Sequence, residues 1–233
     1  MFYSLQGEGP SVGVPSVFIR LQGCNLSCGR GMSGDSSWVC DTIEVWPHGK
    51  PYSVQQLIDY WAKMGWIKAL KQGARLIVTG GEPLLQIDGV FELLSGVMVQ
   101  LNQNIQVEIE TNGTIPCPDS FNLFQIQYNV SPKLMNSGMA LHRRIVPEAI
   151  QSFLSRESIF KFVVNSEDDV LEVMNTIVDP FNIPKKRVYL MPGVETRVGL
   201  RVMLGKVSEW CKKYYVNLGH RLHIELWDQA TGV

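Results

Sequence analysis

The chain has 233 residues and a formal net charge of −1, with 45 % apolar and 18 % charged residues. This composition allows a sizeable core and excludes global disorder, and the absence of long Lys or Arg runs gives no indication of a nucleic-acid or anionic-membrane surface. No uninterrupted apolar stretch reaches the ~18 residues of a membrane span, and the N-terminus lacks the basic start and apolar core of a signal peptide, so we expect a reducing, cytoplasmic location.

Predicted strands alternate with helical patterns along the chain. The strands are rich in Val, Ile and Phe and are bounded by turn residues; they cover residues 16–21, 75–80, 106–111, 124–130, 159–164, 187–193 and 222–226. Helical patterns cover residues 53–73, about 88–102, 166–177 and about 197–215. The third helix opens with a capping box from Ser166 to Asp169. We expect a single α/β domain over residues 1–233, an incomplete (β/α) barrel of parallel strands with crossover helices.

Polar motifs directly follow five of these strands. They are GCN at 23–25, TGGEP at 79–83, ETNG at 110–113, SPK at 131–133 and MPG at 191–193. The carboxyl ends of parallel strands meet at one edge of a sheet, which is where the chemistry of such folds lies. We therefore expect these motifs to form one site, kept dry by Leu, Val and Met side chains on the strand interiors.

Three cysteines, Cys24, Cys28 and Cys40, lie in a loop at 23–42 that is rich in Gly and Ser. A four-iron cubane normally takes four thiolates, so three would leave one iron open. An open iron can chelate the amino and carboxylate groups of S-adenosylmethionine, and one added electron then breaks a C–S bond to give a 5′-deoxyadenosyl radical. Spacing alone also allows a structural zinc site that His48 would complete.

Several motifs carry a resemblance to a known family. CNLSC resembles the start of the radical S-adenosylmethionine CxxxCxxC motif, and GGEP resembles the methionine-binding turn of that superfamily. Together with YSLQGEGP, FIRLQGCNLSC, CDT, TGGEP, ETNG, SPK and the C-terminal RLHIELW, they make the chain similar to 7-carboxy-7-deazaguanine synthases over nearly its whole length.

The cysteine loop departs from the family pattern in one respect. Cys40 follows Cys28 by twelve positions rather than three, as if nine residues had been inserted before it. The entropy of loop closure rises only slowly with loop length, so the resemblance implies an enlarged loop that keeps its function.

The resemblance implies an activity and its cofactors. The implied reaction is a carbon–nitrogen lyase step in queuosine and 7-deazapurine biosynthesis: 6-carboxy-5,6,7,8-tetrahydropterin becomes 7-carboxy-7-deazaguanine by hydrogen abstraction at C6, ring contraction and loss of ammonia. The implied cofactors are a [4Fe–4S] cluster, S-adenosylmethionine and Mg²⁺. The implied partners are an electron donor such as flavodoxin and a second copy of the chain in a homodimer, with no nucleic acid and no membrane.

Two alternative functions are considered. One is a glycyl-radical-enzyme activase, which would not account for LQGEG, CDT and RLHIELW together. The other is a non-enzymatic zinc-binding module.

The resemblance also assigns site residues. Cys24, Cys28 and Cys40 would hold the cluster, and Thr42 would bind Mg²⁺, with Asp41 as the nearby alternative. The residues assigned to S-adenosylmethionine are Gly80, Gly81, Glu82, Glu110, Ser131 and Lys133. Glu82 is expected to support the turn, and Glu110, at a strand end, is expected to accept hydrogen bonds from the ribose diol.

The remaining assigned residues would bind the pterin. They are Leu5, Gln6, Gly7, Glu8, Arg20, Thr79, His223 and Val233. A pterin presents an amide and a guanidine-like edge, which call for donors and a carboxylate, and Arg20 is suited to the substrate carboxylate. Without the resemblance, Gln6 and Glu8 would be read as an exposed N-terminal loop and His223 as a core residue of the strand at 222–226.

Overall fold

The structure of the protein, a computed structural model, describes residues 1–29, 36, 38, 40 and 42–230. Within these residues, eight strands form one sheet in chain order; the second strand is antiparallel to the first, and every later neighbour is parallel. The strands are β1 (Phe2–Leu5), β2 (Pro15–Leu21), β3 (Arg75–Gly80), β4 (Val107–Thr111), β5 (Ile126–Val130), β6 (Ser158–Val164), β7 (Val188–Pro192) and β8 (Asn217–Leu218). Since β1 and β8 form the edges and do not pair, the sheet is an open barrel, as predicted.

The α-helices follow β2, β3, β5, β6, β7 and β8, whereas a 3₁₀ helix at Asp119–Leu123 joins β4 to β5. They are α1 (Val54–Lys63), α2 (Trp66–Lys71), α3 (Ile87–Leu101), α4 (Leu141–Arg144), α5 (Pro147–Leu154), α6 (Glu167–Glu172), α7 (Arg197–Tyr214) and α8 (Leu222–Trp227). The predicted capping box at α6 is present, with the side chain of Ser166 accepting from the amide of Asp169. After α6 the chain continues into a π-helical turn at Val173–Val178.

Two local predictions are wrong, and two strands were missed. The helix predicted over 53–73 is broken into α1 and α2 at Gly65, whose φ of 77° is outside the helical region. Residues 222–226 form α8 rather than a strand; its end is held against the start of α7, where Asp228 accepts from the amide of Arg197 at 2.8 Å. The edge strands β1 and β8 were not predicted, because both are short.

The two faces of the sheet differ in chemistry. Side chains alternate between the faces along each strand. One set packs under the helices as the main core. It includes five side chains with no exposed surface: Val17, Leu76, Ile109, Phe160 and Leu190. Because these apolar side chains face the helices, the strands could be predicted from the sequence as runs rich in apolar residues.

The opposite, inner face of the barrel carries a row of polar side chains. It carries Arg20, Glu108, Glu110, Asn129 and Lys161, placed side by side by the parallel register, in which position 110 faces 129. The same face also carries Ile77, Val163 and Met191, so the expected apolar lining lies beside these polar side chains. Buried polar side chains are tolerated there because they bond to each other across strands.

Helix α3 belongs to the core. By length and composition alone, the run Pro83–Leu101 would be able to cross a membrane, with a mean hydropathy of 1.4. In the structure, however, Val90, Leu94 and Val97 are buried in the main core, and Gly96 packs against α1. This arrangement is that of an amphipathic core helix.

Candidate active site

The three predicted cluster ligands lie around one small apolar group. Leu26, Cys28 and Met139 are buried there, and Cys24, Trp38 and Cys40 pack against them. The amide of Cys40 donates to the carbonyl of Cys28 at 3.3 Å, which brings the distant third cysteine back to the first two. Burial raises the pKa of the Cys24 and Cys28 thiols, so metal binding must displace their protons.

The described cysteines and His48 are not arranged as a closed site for a single ion. Among the residues that the structure describes, no three His, Cys, Asp or Glu side chains are grouped closely enough to hold one metal. The zinc set of Cys24, Cys28, Cys40 and His48 is therefore not formed there. In a cubane each thiolate binds a different iron, so its ligands stand farther apart than those of a tetrahedral zinc.

The two glycines after β3 sit against the cysteine loop. A Cβ on Gly80 would lie 2.6 Å from the carbonyl oxygen of Leu21, and one on Gly81 would collide with the carbonyl of Gly23 and lie 2.6 Å from Cβ of Cys24. Both distances are too short for any side chain. The glycines are therefore needed for close packing of the two strand ends that carry the cluster and cofactor candidates.

Glu82 holds the turn after β3 in place. It is fully buried, and its carboxylate accepts from the amide of Leu84 at 3.0 Å, the hydroxyl of Thr111 at 2.9 Å and the amide of Asn112 at 2.7 Å. Burial raises the pKa of Glu82. The predicted supporting role is thus visible as a link between the GGEP turn and the ETNG turn after β4.

Asn112 extends this link to the cysteine loop and was not singled out from the sequence. Its side-chain amide donates to the side-chain Oδ1 of Asn25 at 2.9 Å and lies 3.9 Å from Sγ of Cys24. Asn25 in turn donates to the hydroxyl of Thr114 at 2.7 Å. The signal in the sequence that could have identified Asn112 is its place in the ETNG motif, directly after a strand.

Ser131 and Lys133 lie at the end of β5, as predicted for the same edge. Lys133 Nζ donates to the Ser131 hydroxyl at 3.3 Å and lies 5.9 Å from the ring centroid of Trp38, over its face. The ammonium therefore stands beside the cysteine loop, where it favours bound anionic groups.

The N-terminal segment crosses the polar inner face. Gln6 is only 4 % exposed, and its amide donates to Glu108 and Glu110, both at 3.1 Å. The alternative reading of Gln6 as part of an exposed loop is wrong. Leu5 ends β1 opposite Pro15 in the sheet, which fixes where this segment enters the barrel.

Glu8 and Glu110 share one cation. Lys161 Nζ lies 2.8 Å from Glu8 and 2.7 Å from Glu110, and Arg221 Nε lies 3.3 Å from the other oxygen of Glu8. Burial alone would raise the pKa of Glu8, but Lys161, Arg221 and nearby His223 outweigh it and hold that pKa far below its usual range. The structure thus groups Glu110 with the pterin candidates Gln6 and Glu8.

Lys161 was missed in the sequence. It lies in IFKFVV, which reads as an apolar core strand. A lone Lys in the middle of such a strand was the available signal, because a buried ammonium needs carboxylate partners.

The C-terminal candidates meet the N-terminal segment. The amide of Leu222 donates to the Gly7 carbonyl at 2.9 Å, and a Cβ on Gly7 would collide with the His223 ring. His223 therefore lies directly against Gly7. Val233 is outside the described residues.

The remaining candidates lie at the carboxyl ends of β2 and β3 and in the CDT motif. Arg20 donates to the Gly80 carbonyl at 3.0 Å and is in register with Thr79. The Thr42 hydroxyl lies 3.4 Å from Sγ of Cys40. Asp41, the alternative to Thr42, is outside the described residues.

Comparison with known proteins identifies relatives along the whole chain. No family model matches. The chain is 33 % identical to the 7-carboxy-7-deazaguanine synthase of Hyperthermus butylicus over 233 aligned positions, which cover 96 % of this chain and 89 % of the relative. It is 34 % identical to the synthase of Pyrobaculum aerophilum, with coverage of 100 % and 95 %, and 34 % identical to that of Clostridium acetobutylicum, with coverage of 82 % and 78 %.

A solved structure shares the fold. The crystal structure of QueE from Escherichia coli superimposes with a TM-score of 0.66 and 23 % sequence identity, over 96 % of this chain and 92 % of that one. This likeness confirms the predicted open barrel.

Proposed function

Because the chain belongs to the 7-carboxy-7-deazaguanine synthase family, we propose that it converts 6-carboxy-5,6,7,8-tetrahydropterin to 7-carboxy-7-deazaguanine with loss of ammonia. The observation that carries this proposal is that Gln6, from the N-terminal segment, is buried against Glu108 and Glu110 on the inner face. Neither alternative, a glycyl-radical-enzyme activase or a zinc-binding module, accounts for relatives of this family that align from end to end.

The cysteine loop and the two turns beside it would hold the cofactors. Cys24, Cys28 and Cys40 fit a [4Fe–4S] cluster with one open iron, and the edge formed by Gly80, Gly81, Ser131 and Lys133 suits the methionine part of S-adenosylmethionine. When bound, these groups supply the radical that removes the hydrogen atom from C6 of the pterin. The buried carboxylate of Glu82 holds the glycine turn in place by accepting hydrogen bonds from Leu84, Thr111 and Asn112.

The residues of the inner face would bind and orient the pterin. Glu8 is held ionised by its cationic neighbours, so its carboxylate suits the N–H donors of the guanidine-like edge. Gln6 adds an amide at the same place, and Arg20, at the end of β2, offers a guanidinium to the substrate carboxylate. Holding the substrate in this way aligns C6 with the cofactor and excludes competing hydrogen donors.

Magnesium would be held at the CDT motif. Mg²⁺ keeps several waters and takes few protein oxygens, so one hydroxyl from Thr42 with oxygens of the substrate is a sufficient site. Because the Thr42 hydroxyl lies 3.4 Å from Sγ of Cys40, an ion held by Thr42 would be close to the cysteine loop.

The proposal extends to partners and location. The electron that starts each cycle would come from a small carrier such as flavodoxin, and two copies of the chain would form a homodimer. Free, clustered thiols suit a reducing cytoplasm, where cysteines serve metal sites rather than disulfides.

The test is turnover in the absence of oxygen. Cluster-loaded protein is mixed with reductant, S-adenosylmethionine, Mg²⁺ and the carboxypterin, and products are identified by mass spectrometry. We expect 7-carboxy-7-deazaguanine, its absence when S-adenosylmethionine is omitted, and a reduced rate when Mg²⁺ is chelated. Cleavage of S-adenosylmethionine without any change in the pterin would refute the proposed substrate.

A further inference from the structure

Lys161 occupies the centre of the inner face. It is 2 % exposed, and its ammonium lies 2.8 Å from a carboxylate oxygen of Glu8 and 2.7 Å from one of Glu110. Burial on its own would lower the pKa of Lys161, but the two carboxylates outweigh it and raise the pKa above its usual value. The residue is therefore a fixed positive charge shared by two acids that come from different parts of the chain.

Each of the two carboxylates is also held at its second oxygen. Glu110 accepts there from Gln6 at 3.1 Å and from Asn129 at 2.9 Å. Glu8 is approached there by Arg221 at 3.3 Å. Lys161 is thus the group common to both acids, while their other contacts differ.

Other charged groups surround this arrangement. Glu108 shares Gln6 and Asn129 with Glu110, and Arg75 lies 2.9 Å from the second oxygen of Glu108. The charged and titratable groups that face Lys161 or its two partners are Glu8, Arg75, Glu108, Glu110, Arg221 and His223. Among the described residues, each of the three carboxylates therefore has a cationic partner: Lys161 for Glu8 and Glu110, and Arg75 for Glu108.

We propose that Lys161 is a positioning residue of the pterin site, which keeps Glu8 and Glu110 together and ionised as acceptors for the N–H donors of the substrate. The inference rests on the proposed function, because it needs a ligand with such an edge. Its basis is electrostatic: two carboxylates held this close repel each other, and without the shared cation one of them binds a proton. A protonated carboxyl loses acceptor capacity and no longer fits a donor edge.

Two variants and a control separate this role from a purely structural ion pair. Lys161→Met removes the charge but keeps the length, and Lys161→Arg keeps the charge but changes its geometry. Lys212→Met is the matched control, since it removes an exposed Lys–Glu pair far from the inner face. The steady-state constants of cluster-loaded protein are measured from about pH 6 to about pH 9, across which an ordinary carboxylate stays ionised.

Binding is measured separately from turnover. Calorimetry with the carboxypterin, on cluster-loaded protein without S-adenosylmethionine, reports substrate affinity alone. For Lys161→Met we expect affinity lower by about tenfold or more at the acid end, since one charged hydrogen-bonding group is lost. The loss should shrink as pH rises and the carboxylates ionise again, whereas the wild-type affinity should depend little on their ionisation. Lys161→Arg should recover part of the affinity, and its affinity, like that of the wild type, should depend little on the ionisation of the carboxylates.

The outcomes are distinct from those of the proposed function. If the wild-type protein does not convert the carboxypterin, the proposed function fails. If the wild-type protein does convert it, but Lys161→Met binds it with unchanged affinity across the pH range, the positioning role is refuted. Circular dichroism checks folding, and Lys161→Gln, which keeps a donor, replaces Lys161→Met under the same criteria if the latter does not fold.

Discussion

The amide of Leu222 donates a hydrogen bond to the carbonyl oxygen of Gly7 at a distance of 2.9 Å. This bond joins the segment after β1 to the start of α8, so the two ends of the described chain meet across the inner face. Because β1 and β8 do not pair with each other, the contact covers a part of the barrel that the sheet leaves open.

Gly7→Ala tests this contact. The new Cβ would collide with Nδ1 of His223 and lie 3.0 Å from its Cγ, so either the ring or the segment must shift. We expect a destabilisation of about 1–3 kcal/mol, as for other overpacked sites, and a higher KM for the pterin. Thermal unfolding and steady-state kinetics measure the two effects.

Gly89→Ala is the matched control for Gly7→Ala. Gly89 lies in α3, and a Cβ there would meet nothing within 4 Å. It should leave KM unchanged and raise stability slightly, because Ala is the better helix former. Equal effects of the two substitutions on KM would count against the role given to Gly7.

Gly81→Ala should disturb the cluster rather than the pterin site. Its Cβ would lie 2.6 Å from Cβ of Cys24 and collide with the Gly23 carbonyl, both in the cysteine loop. We expect lower iron content and weaker visible absorption after anaerobic reconstitution. Gly205→Ala, in an open part of α7, should bind iron as the wild type does; a full iron complement in Gly81→Ala would show that the loop tolerates the shift.

Cys40→Ala should abolish both the cluster and turnover, since it removes the third thiolate. Cys211→Ala is the control: this buried thiol, whose pKa burial raises to about 11, donates to the Asn217 carbonyl in another part of the chain. It should cost about 1 kcal/mol of stability for the lost hydrogen bond and leave the iron content intact. A brown, active Cys40→Ala protein would mean that the ligands are assigned wrongly.

Glu8→Gln should change how stability depends on acid. The pKa of Glu8 is lowered in the folded protein, so its stabilising effect is present above the unfolded pKa of about 4.3 and is lost as pH falls towards the folded pKa. At neutral pH, Glu8→Gln should lose about 1–2 kcal/mol, a reduced figure because the side chain is partly exposed and Lys161 keeps Glu110.

The acid titration of melting temperature checks this expectation. Below about pH 4 the wild type should lose melting temperature more steeply than Glu8→Gln, so that the two curves converge. Glu209→Gln, which breaks an exposed pair with Lys212, should follow the wild-type curve. Parallel curves for the wild type and Glu8→Gln would contradict the ion pair between Glu8 and Lys161.

The strands were predictable because one face of each packs under helices. Residues such as Leu76, Ile109 and Phe160 give the apolar, β-branched or aromatic pattern that marks a strand. The strand-end motifs followed directly, since parallel connectivity brings their carboxyl ends to one edge. The cysteine loop and the GGEP turn were accordingly found in the sequence.

The inner face was not predictable, because its partners are distant in the chain. Lys161 looks like an anomaly in an apolar strand until Glu8 and Glu110 are placed beside it. Likewise, α8 was predicted as a strand because LHIEL contains apolar residues at short spacing, whereas its helical state depends on contacts such as that between Asp228 and Arg197. Tertiary contacts of this kind override local propensity.

The most direct test of the account is electron paramagnetic resonance of the anaerobically reduced protein, with and without S-adenosylmethionine. Three thiolates from Cys24, Cys28 and Cys40 should give a reduced [4Fe–4S] signal that changes shape when the cofactor is added, because one iron is open to it. An absent cluster signal, or one that added S-adenosylmethionine leaves unchanged, would contradict the open coordination position on which the proposed reaction depends.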